Sequence, residues 1–272
     1  MSVEEMATTF LFVPGDRPER FDRACASGAD VVVIDLEDGV APDRKAAARD
    51  AIRRWRTQVP ASVIVRISPL GTPEAADDLA MLTSLPTRVS VVVSKAESPA
   101  GLASLGQRLS GASVLALIET AAGIAVVREL AQAPGVRRLI FGHLDYAADL
   151  DVPATGPLMT HARCEIVVAS RAAGLAPPID GVTTELDDMD AVLRDARAAR
   201  ALGFGGKLCL NPRQVAPVAD AFAPAEGEVT WARRVLDAAE KAGDGAVRVG
   251  TEMIDAPVLK RARAVLARSN HG

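Results

Sequence analysis

An eight-stranded (β/α)8 barrel of TIM type, followed by a C-terminal helical extension, is the fold that this 272-residue sequence predicts. Three observations carry it. Eight short apolar, β-branched runs recur along the chain, as expected of strands buried on both faces of a parallel sheet. Ala/Arg/Glu-rich stretches of helical character lie between them, which is the alternation of an α/β fold. The spacing is even: from Pro14 to Asn211 there are seven steps of about 28 residues each, the repeat of a βα unit. An open dinucleotide-binding sheet has the same alternation, but no G-x-G-x-x-G follows the first run.

The runs fall in order as TTFLFVP to Pro14, VVVID to Asp35, SVIVRI to Ile67 and VSVVVSK to Lys95, then SVLALIE to Glu119, RRLIFGH to His143, PPIDGV to Val182 and GGKLCLN to Asn211. After the first, PERFDRACASG places Phe21, Ala24 and Cys25 on one helical face, with Gly28 as the stop. After the seventh, DDMDAVLRDARAARALG lines up Met189, Val192, Leu193, Ala196 and Ala199, closed by Gly203. The barrel is expected over residues 1–211. Residues 212–272 hold one helical pattern, EVTWARRVLDAAEKAG, then a Gly-rich turn and TEMIDAPVLKRARAVLARS; at this length they read as a helical extension, a lid or subunit contact, not an independent domain.

Composition removes several function classes. With 31 Lys and Arg against 35 Asp and Glu, the net charge is −4, which offers no overall attraction to nucleic acid. Aromatic residues make up only 3%, too few for base-stacking platforms. Cys25, Cys164 and Cys209 are far apart with no C-x-x-C, which argues against a disulfide framework or thiolate metal site and fits a reducing cytoplasm. The opening MSVEEMATTF lacks the basic and apolar regions of a signal peptide, and no apolar window is long enough for a membrane span.

Barrel chemistry gathers at the C-terminal strand ends, and ionisable residues mark nearly every one here. They are Arg17 and Arg20, then Asp35, Glu37 and Asp38, then Arg66, Lys95, Glu119, His143 with Asp145, and Asp180. Glu119 and Asp145 are one βα unit apart and so belong on neighbouring strand ends. Two adjacent carboxylates repel, share a proton or bind a cation. An oxygen-only pair without a His or Cys cluster points to a hard ion, Mg2+ first; the plain alternative is an ion pair with Arg66 or Lys95. His143, two residues before Asp145, would share its face if both lay on a strand. Arg66 suits a substrate carboxylate or oxyanion, or a structural pairing with Glu37 or Glu119. Lys95 offers a Schiff-base amine as a minor route. No Ser/His/Asp or Cys/His setting supports a nucleophile.

The segments FVPGDRPERF, VVVIDLEDGVAPDRKAAAR, VIVRIS, SKAES, LALIETAAGI, FGHLDYAADL, GFGGKLCLNPRQV and TEMIDAPVLKRA together resemble the citrate lyase β-subunit-like proteins of the HpcH/HpaI aldolase family, over essentially the whole chain. That resemblance implies a cytoplasmic, usually trimeric barrel enzyme, a carbon–carbon lyase that uses Mg2+. Such an enzyme cleaves or forms a citryl-CoA- or malyl-CoA-like thioester, giving acetyl-CoA and a 2-oxo acid. It implies Glu119 and Asp145 as metal ligands, Arg66 and Glu119 as substrate contacts, and Asp255, in EMIDAP, as catalytic acid/base, often supplied by a neighbouring subunit. Asp followed by Ala-Pro also makes a good helix cap, the plain reading of Asp255. Arg17, Arg20 and Arg23 suit coenzyme A phosphates or a solvated helix face equally. Three positions depart from the family pattern: Asn211 where His is common, Asp151 where Gly usually stands, and Ser68 where Asn is frequent. Two other functions remain open at this level. One is a metal-dependent aldolase acting on free hydroxy-oxo acids; the other is a non-catalytic subunit that keeps the barrel.

Overall fold

The structure is a computed structural model that describes residues 2–56, 63–109, 111–242, 247–249 and 252–269. It divides into two compact units, Met1–Ala221 and Phe222–Gly272.

In the first unit, β1 (Thr9–Pro14), β2 (Val31–Asp35), β3 (Val63–Ile67), β4 (Val91–Val93), β5 (Val114–Ile118), β6 (Val136–Phe141), β7 (Ile179–Asp180) and β8 (Gly206–Cys209) close a parallel barrel in sequence order. The strand β8 returns to β1 through Thr9 opposite Lys207 and Leu11 opposite Cys209. Alternate side chains fill the interior, among them Phe10, Val31, Val33, Ile64, Val92, Leu115, Leu117 and Ile140. The eight runs and their order match the sequence expectation. Strand ends are shorter than the apolar runs for local reasons. Pro177 and Pro178 have no N–H to give the ladder, so β7 is two residues long. After β6 the chain bends at Gly142 into the helix His143–Asp149, whose Tyr146 N–H bonds the Gly142 carbonyl at 3.0 Å. His143 and Asp145 therefore sit on the first turn of a helix and not on a strand, where residues two apart do not share a face.

The helix Met189–Leu202 begins at Asp188, whose side chain accepts the Ala191 N–H, and ends at Gly203 with φ 105°. It buries Val192, Ala196 and Ala199 from the expected stripe. After Pro18–Arg20, the short helix Phe21–Cys25 buries Phe21 and Ala24.

One charged side chain closes the end of the barrel opposite the strand C-termini. Arg138, 1% exposed, donates from Nε to the Pro177 carbonyl at 2.6 Å and from one terminal nitrogen to the Glu4 and Ala7 carbonyls at 2.8 and 2.6 Å. Its guanidinium lies over the Phe10 ring, 5.4 Å from the centroid. Burial pushes it down to about 9, still a cation near neutral pH.

The second unit has its own small core of Ala232, Val235, Ile254, Ala262 and Val265. It consists of the helices Glu226–Ala242 and Ala256–Ser269 with an antiparallel pair, Val247–Val249 and Glu252–Ile254, between them. The expected helical pattern EVTWARRVLDAAEKAG lies in the helix Glu226–Ala242; the second helix and the strand pair are additions. Among the described residues no helix is long and apolar enough to cross a membrane.

Replacing Arg138 by Ala strips three carbonyls of their donor, that of buried Ala7 among them. The expected cost is about 3 kcal/mol in urea unfolding; a loss within experimental error would show that the carbonyls find other partners.

Candidate active site

The strand C-termini surround a cavity of about 440 Å³ lined by Phe12, Arg20, Arg66, Glu119, His143 and Asp145, among others. Its charges are arranged by the register of the sheet. Asp35 ends β2 directly opposite Arg66 on β3. The guanidinium grips this carboxylate with two bonds, Nε to Oδ1 at 2.7 Å and a terminal nitrogen to Oδ2 at 2.6 Å. Its other terminal nitrogen reaches Glu37 at 3.2 Å, and its plane lies 4.8 Å from the Phe12 ring centroid. Asp35 also accepts the N–H groups of Glu37 and Gly39, each at 2.8 Å. Gly39 is required there, since a Cβ would collide with Asp35 Oδ2. Burial alone would ease a proton off Arg66, but Asp35 and then Glu37 outweigh it and hold the guanidinium charged.

Lys95 follows β4 and joins the same array. Its ammonium bonds Glu37 Oε1 at 2.6 Å, and its peptide N–H bonds Glu119 Oε1 at 2.8 Å. Burial opposes the charge, yet the Glu37 bond prevails and Lys95 is pushed up to about 12. A Schiff-base lysine needs the reverse shift, so the amine route has no support.

Glu119, 1% exposed, stands one residue past β5. Burial, and after it the neighbouring Asp145 carboxylate, push it up to about 8. Without a cation Glu119 therefore holds its proton near neutral pH, and a hard cation between the two carboxylates would reverse that preference. Among the described residues no group of three His, Cys, Asp or Glu could hold a metal. Two carboxylates alone fit Mg2+, which commonly takes one or two and completes its shell with water and substrate oxygens. Gly142, which bonds back to the Ile118 carbonyl at 3.0 Å, makes room for this pair. A Cβ on it would lie 2.5 Å from Glu119 Oε2 and 2.6 Å from Glu119 Cβ.

A family model described as HpcH/HpaI aldolase/citrate lyase matches residues 8–212. The chain belongs to that family. A citrate lyase subunit beta-like protein of Deinococcus radiodurans is 39% identical, covering 94% of this chain and 95% of that one. The L-malyl-CoA/beta-methylmalyl-CoA lyase of Cereibacter sphaeroides is 33% identical, with 95% and 93% covered. Among solved structures, protein CitE of Mycobacterium tuberculosis in complex with magnesium, acetoacetate and coenzyme A superposes with a TM-score of 0.86 at 35% identity. That match covers 98% of this chain and 99% of the other.

Within this HpcH/HpaI-family barrel, the sequence-marked residues Arg66, Glu119 and Asp145 line one cavity, with Asp35, Asp38 and Arg20. Arg66 pairs with Asp35 as well as Glu37, a partner that the strand register reveals and the spacing alone does not. Glu119 is held by the Lys95 peptide and not by its ammonium. Gly142, Gly39 and the Phe12 ring were missed; the only trace of Gly142 was its place between a β-run and an acidic helix start. His143 turns to the β7 side, where a Cβ on Gly181 would clash with its ring, and burial, then Arg163, push it down to about 4. It is neutral and uncharged toward substrate. Asp151 takes φ 55°, the backbone that suits the family's Gly and that Asp tolerates. Asn211 caps the turn Pro212–Gln214 by accepting the Arg213 N–H at 3.0 Å. Asp255 belongs to the second unit, where its Oδ1 accepts the Val258 N–H at 3.1 Å, so the helix-cap reading holds. The thiol of Cys209 is buried and pushed up to about 12 by burial, which leaves it inert as a nucleophile.

The Gly142→Ala variant should keep the circular dichroism of the barrel and lose about tenfold or more in Mg2+ affinity, measured by calorimetry. Unchanged affinity would mean that Glu119 is not the group whose position matters.

Proposed function

We propose that this protein is a Mg2+-dependent carbon–carbon lyase that cleaves, or in reverse forms, a citryl-CoA- or malyl-CoA-like thioester, yielding acetyl-CoA and a 2-oxo acid. One observation carries the reading: two neighbouring carboxylates, Glu119 and Asp145, face a cavity that a doubly anchored Arg66 also lines. Family membership and the resemblance to lyases of coenzyme A esters support the reaction class. A neighbouring structure that holds magnesium, acetoacetate and coenzyme A supports the cofactor and the ligand chemistry.

In this reading Glu119 and Asp145 hold the ion, which when bound supplies Lewis-acid stabilisation of the oxygens of the oxo acid. Arg66 presents its charge to the same developing oxygen. Because Nε and one terminal nitrogen are fixed on Asp35 and the other terminal nitrogen is held by Glu37, it reorganises little as the charge grows. In the cleavage direction the substrate hydroxyl gives its proton to solvent water and its C–O bond becomes the carbonyl of the oxo acid. The electrons of the broken C–C bond pass to the thioester as an enolate. Asp255 is assigned to protonate that enolate carbon, and to take the same proton in condensation. Its cap uses one carboxylate oxygen, Oδ1, which leaves the other for proton exchange. Arg20 lines the cavity and suits an anionic portion of coenzyme A. We further place the protein in the cytoplasm as a homotrimer, with Asp255 supplied across a subunit boundary, as the family resemblance implies.

The test is acetyl-CoA release from malyl-CoA and citryl-CoA, with Mg2+ or with EDTA. Activity should vanish in EDTA, fall about a thousandfold in Glu119→Ala and Asp145→Ala, and fall 10²- to 10⁴-fold in Asp255→Ala by roughly the share of a general acid. An enzyme that instead cleaves free 4-hydroxy-2-oxo acids and tolerates Asp255→Ala would be the free-acid aldolase. No turnover of any of these would favour a non-catalytic subunit.

A further inference from the structure

Lys95 holds an unusual backbone for its residue type. Its φ of 45° lies in the left-handed region, and among the described residues Asp151 is the only other non-glycine there. The residues on either side stay threaded into the sheet: Ser94 donates to the Ile67 carbonyl of β3 and Ala96 to the Leu117 carbonyl of β5. The strand β4 ends at Val93, and Lys95 lies in the turn that follows it. The turn directs the Lys95 peptide N–H onto Glu119 Oε1 at 2.8 Å, while the side chain crosses the other way to Glu37 Oε1 at 2.6 Å. Glu37 in turn reaches Arg66 at 3.2 Å. A glycine would adopt this backbone without strain, so a lysine here makes sense only if its ammonium is also used.

We propose that Lys95 is a positioning residue with two separable parts: a strained peptide that orients Glu119 for the cation, and an ammonium that orients Arg66, through Glu37, for the oxo acid. The proposal rests on the lyase reading above and adds to it the means by which two strand ends are held in step. Fixing Oε1 of Glu119 leaves Oε2 on the Gly142 side, so the peptide bond selects which oxygen is presented. Fixing Oε1 of Glu37 keeps its Oε2 on Arg66, so that the guanidinium is braced on a second side beyond Asp35. Lys95 itself touches no reacting atom in this scheme.

The two parts are tested by Lys95→Gly, Lys95→Ala and Lys95→Arg, each measured three ways. The first is melting in EDTA. Lys95→Gly should melt above Lys95→Ala, the reverse of the order at an extended or helical position, because only Gly takes the left-handed backbone freely. The second is Mg2+ affinity by calorimetry. Lys95→Gly should stay within about threefold of wild type, and Lys95→Ala, which keeps the left-handed strain of the lysine but loses the ammonium bond that holds the turn against it, should weaken about tenfold. The third is kcat/KM for the thioester. It should fall about tenfold or more in both Gly and Ala variants and recover in Lys95→Arg, which restores the charge opposite Glu37.

Equal melting and equal Mg2+ affinity in the Gly and Ala variants would overturn the role of the peptide. Wild-type kcat/KM in Lys95→Gly would overturn the role of the ammonium. An Ala variant that fails to fold while the Gly variant folds counts for the strained peptide. If wild type binds no Mg2+ and turns over no thioester, the lyase reading fails instead, and the melting order in EDTA still decides the peptide half.

Discussion

Five carboxylates, Asp35, Glu37, Asp38, Glu119 and Asp145, meet at the mouth of this barrel with three cationic side chains, Arg20, Arg66 and Lys95, set among them. Asp35, Glu37 and Asp38 pair with Arg66 and Lys95. Glu119 and Asp145 are left over. A buried ion pair is tolerable when hydrogen bonds complete its geometry, and the Asp35–Arg66 fork has them on both partners. An unmatched buried carboxylate is not tolerable in its charged form, and Glu119 responds by keeping its proton up to about pH 8. The two unmatched carboxylates equal the charge of one divalent ion. The glycine at 142 leaves space beside Glu119, the lysine peptide pins one of its oxygens, and no basic side chain bonds Asp145 among the described residues, an arrangement that suits the cation proposed for this site.

Much of the barrel could be read from the sequence because β-branched runs with a βα spacing have few other solutions. The strands lie in the expected order, and the site residues Arg66, Glu119 and Asp145 do line one cavity. What the sequence concealed was contact across strands. The Asp35–Arg66 fork depends on a register that pairs β2 with β3 residue for residue, which no spacing within one run encodes. The β6 run was legible as apolar, but not its end: Gly142 starts a helix there, which separates His143 from the face of Asp145. The backbone role of Lys95 was hidden for a different reason, since a lysine after a strand carries no sign of a positive φ.

The departures from the family pattern are smaller than they look in sequence. Asp151 keeps the left-handed backbone that a glycine would supply, through a residue type that tolerates it. Asn211 is occupied in starting the turn that follows β8, a task its short side-chain carbonyl performs well. Neither change touches the carboxylates or Arg66. Asp255, by contrast, lies in a unit with its own core, where its cap fixes it at the start of a helix. The cap occupies one oxygen, Oδ1, which is compatible with the proton-exchange part proposed for Asp255.

The charge imbalance at Glu119 and Asp145 is tested most directly by anomalous diffraction from crystals soaked in Mn2+, an ion that favours the same oxygen ligands as Mg2+. One peak bridging the two carboxylates in the wild-type protein, absent in Glu119→Gln, is the predicted result. A peak held by other residues, or no peak at these carboxylates at saturating Mn2+, would contradict it.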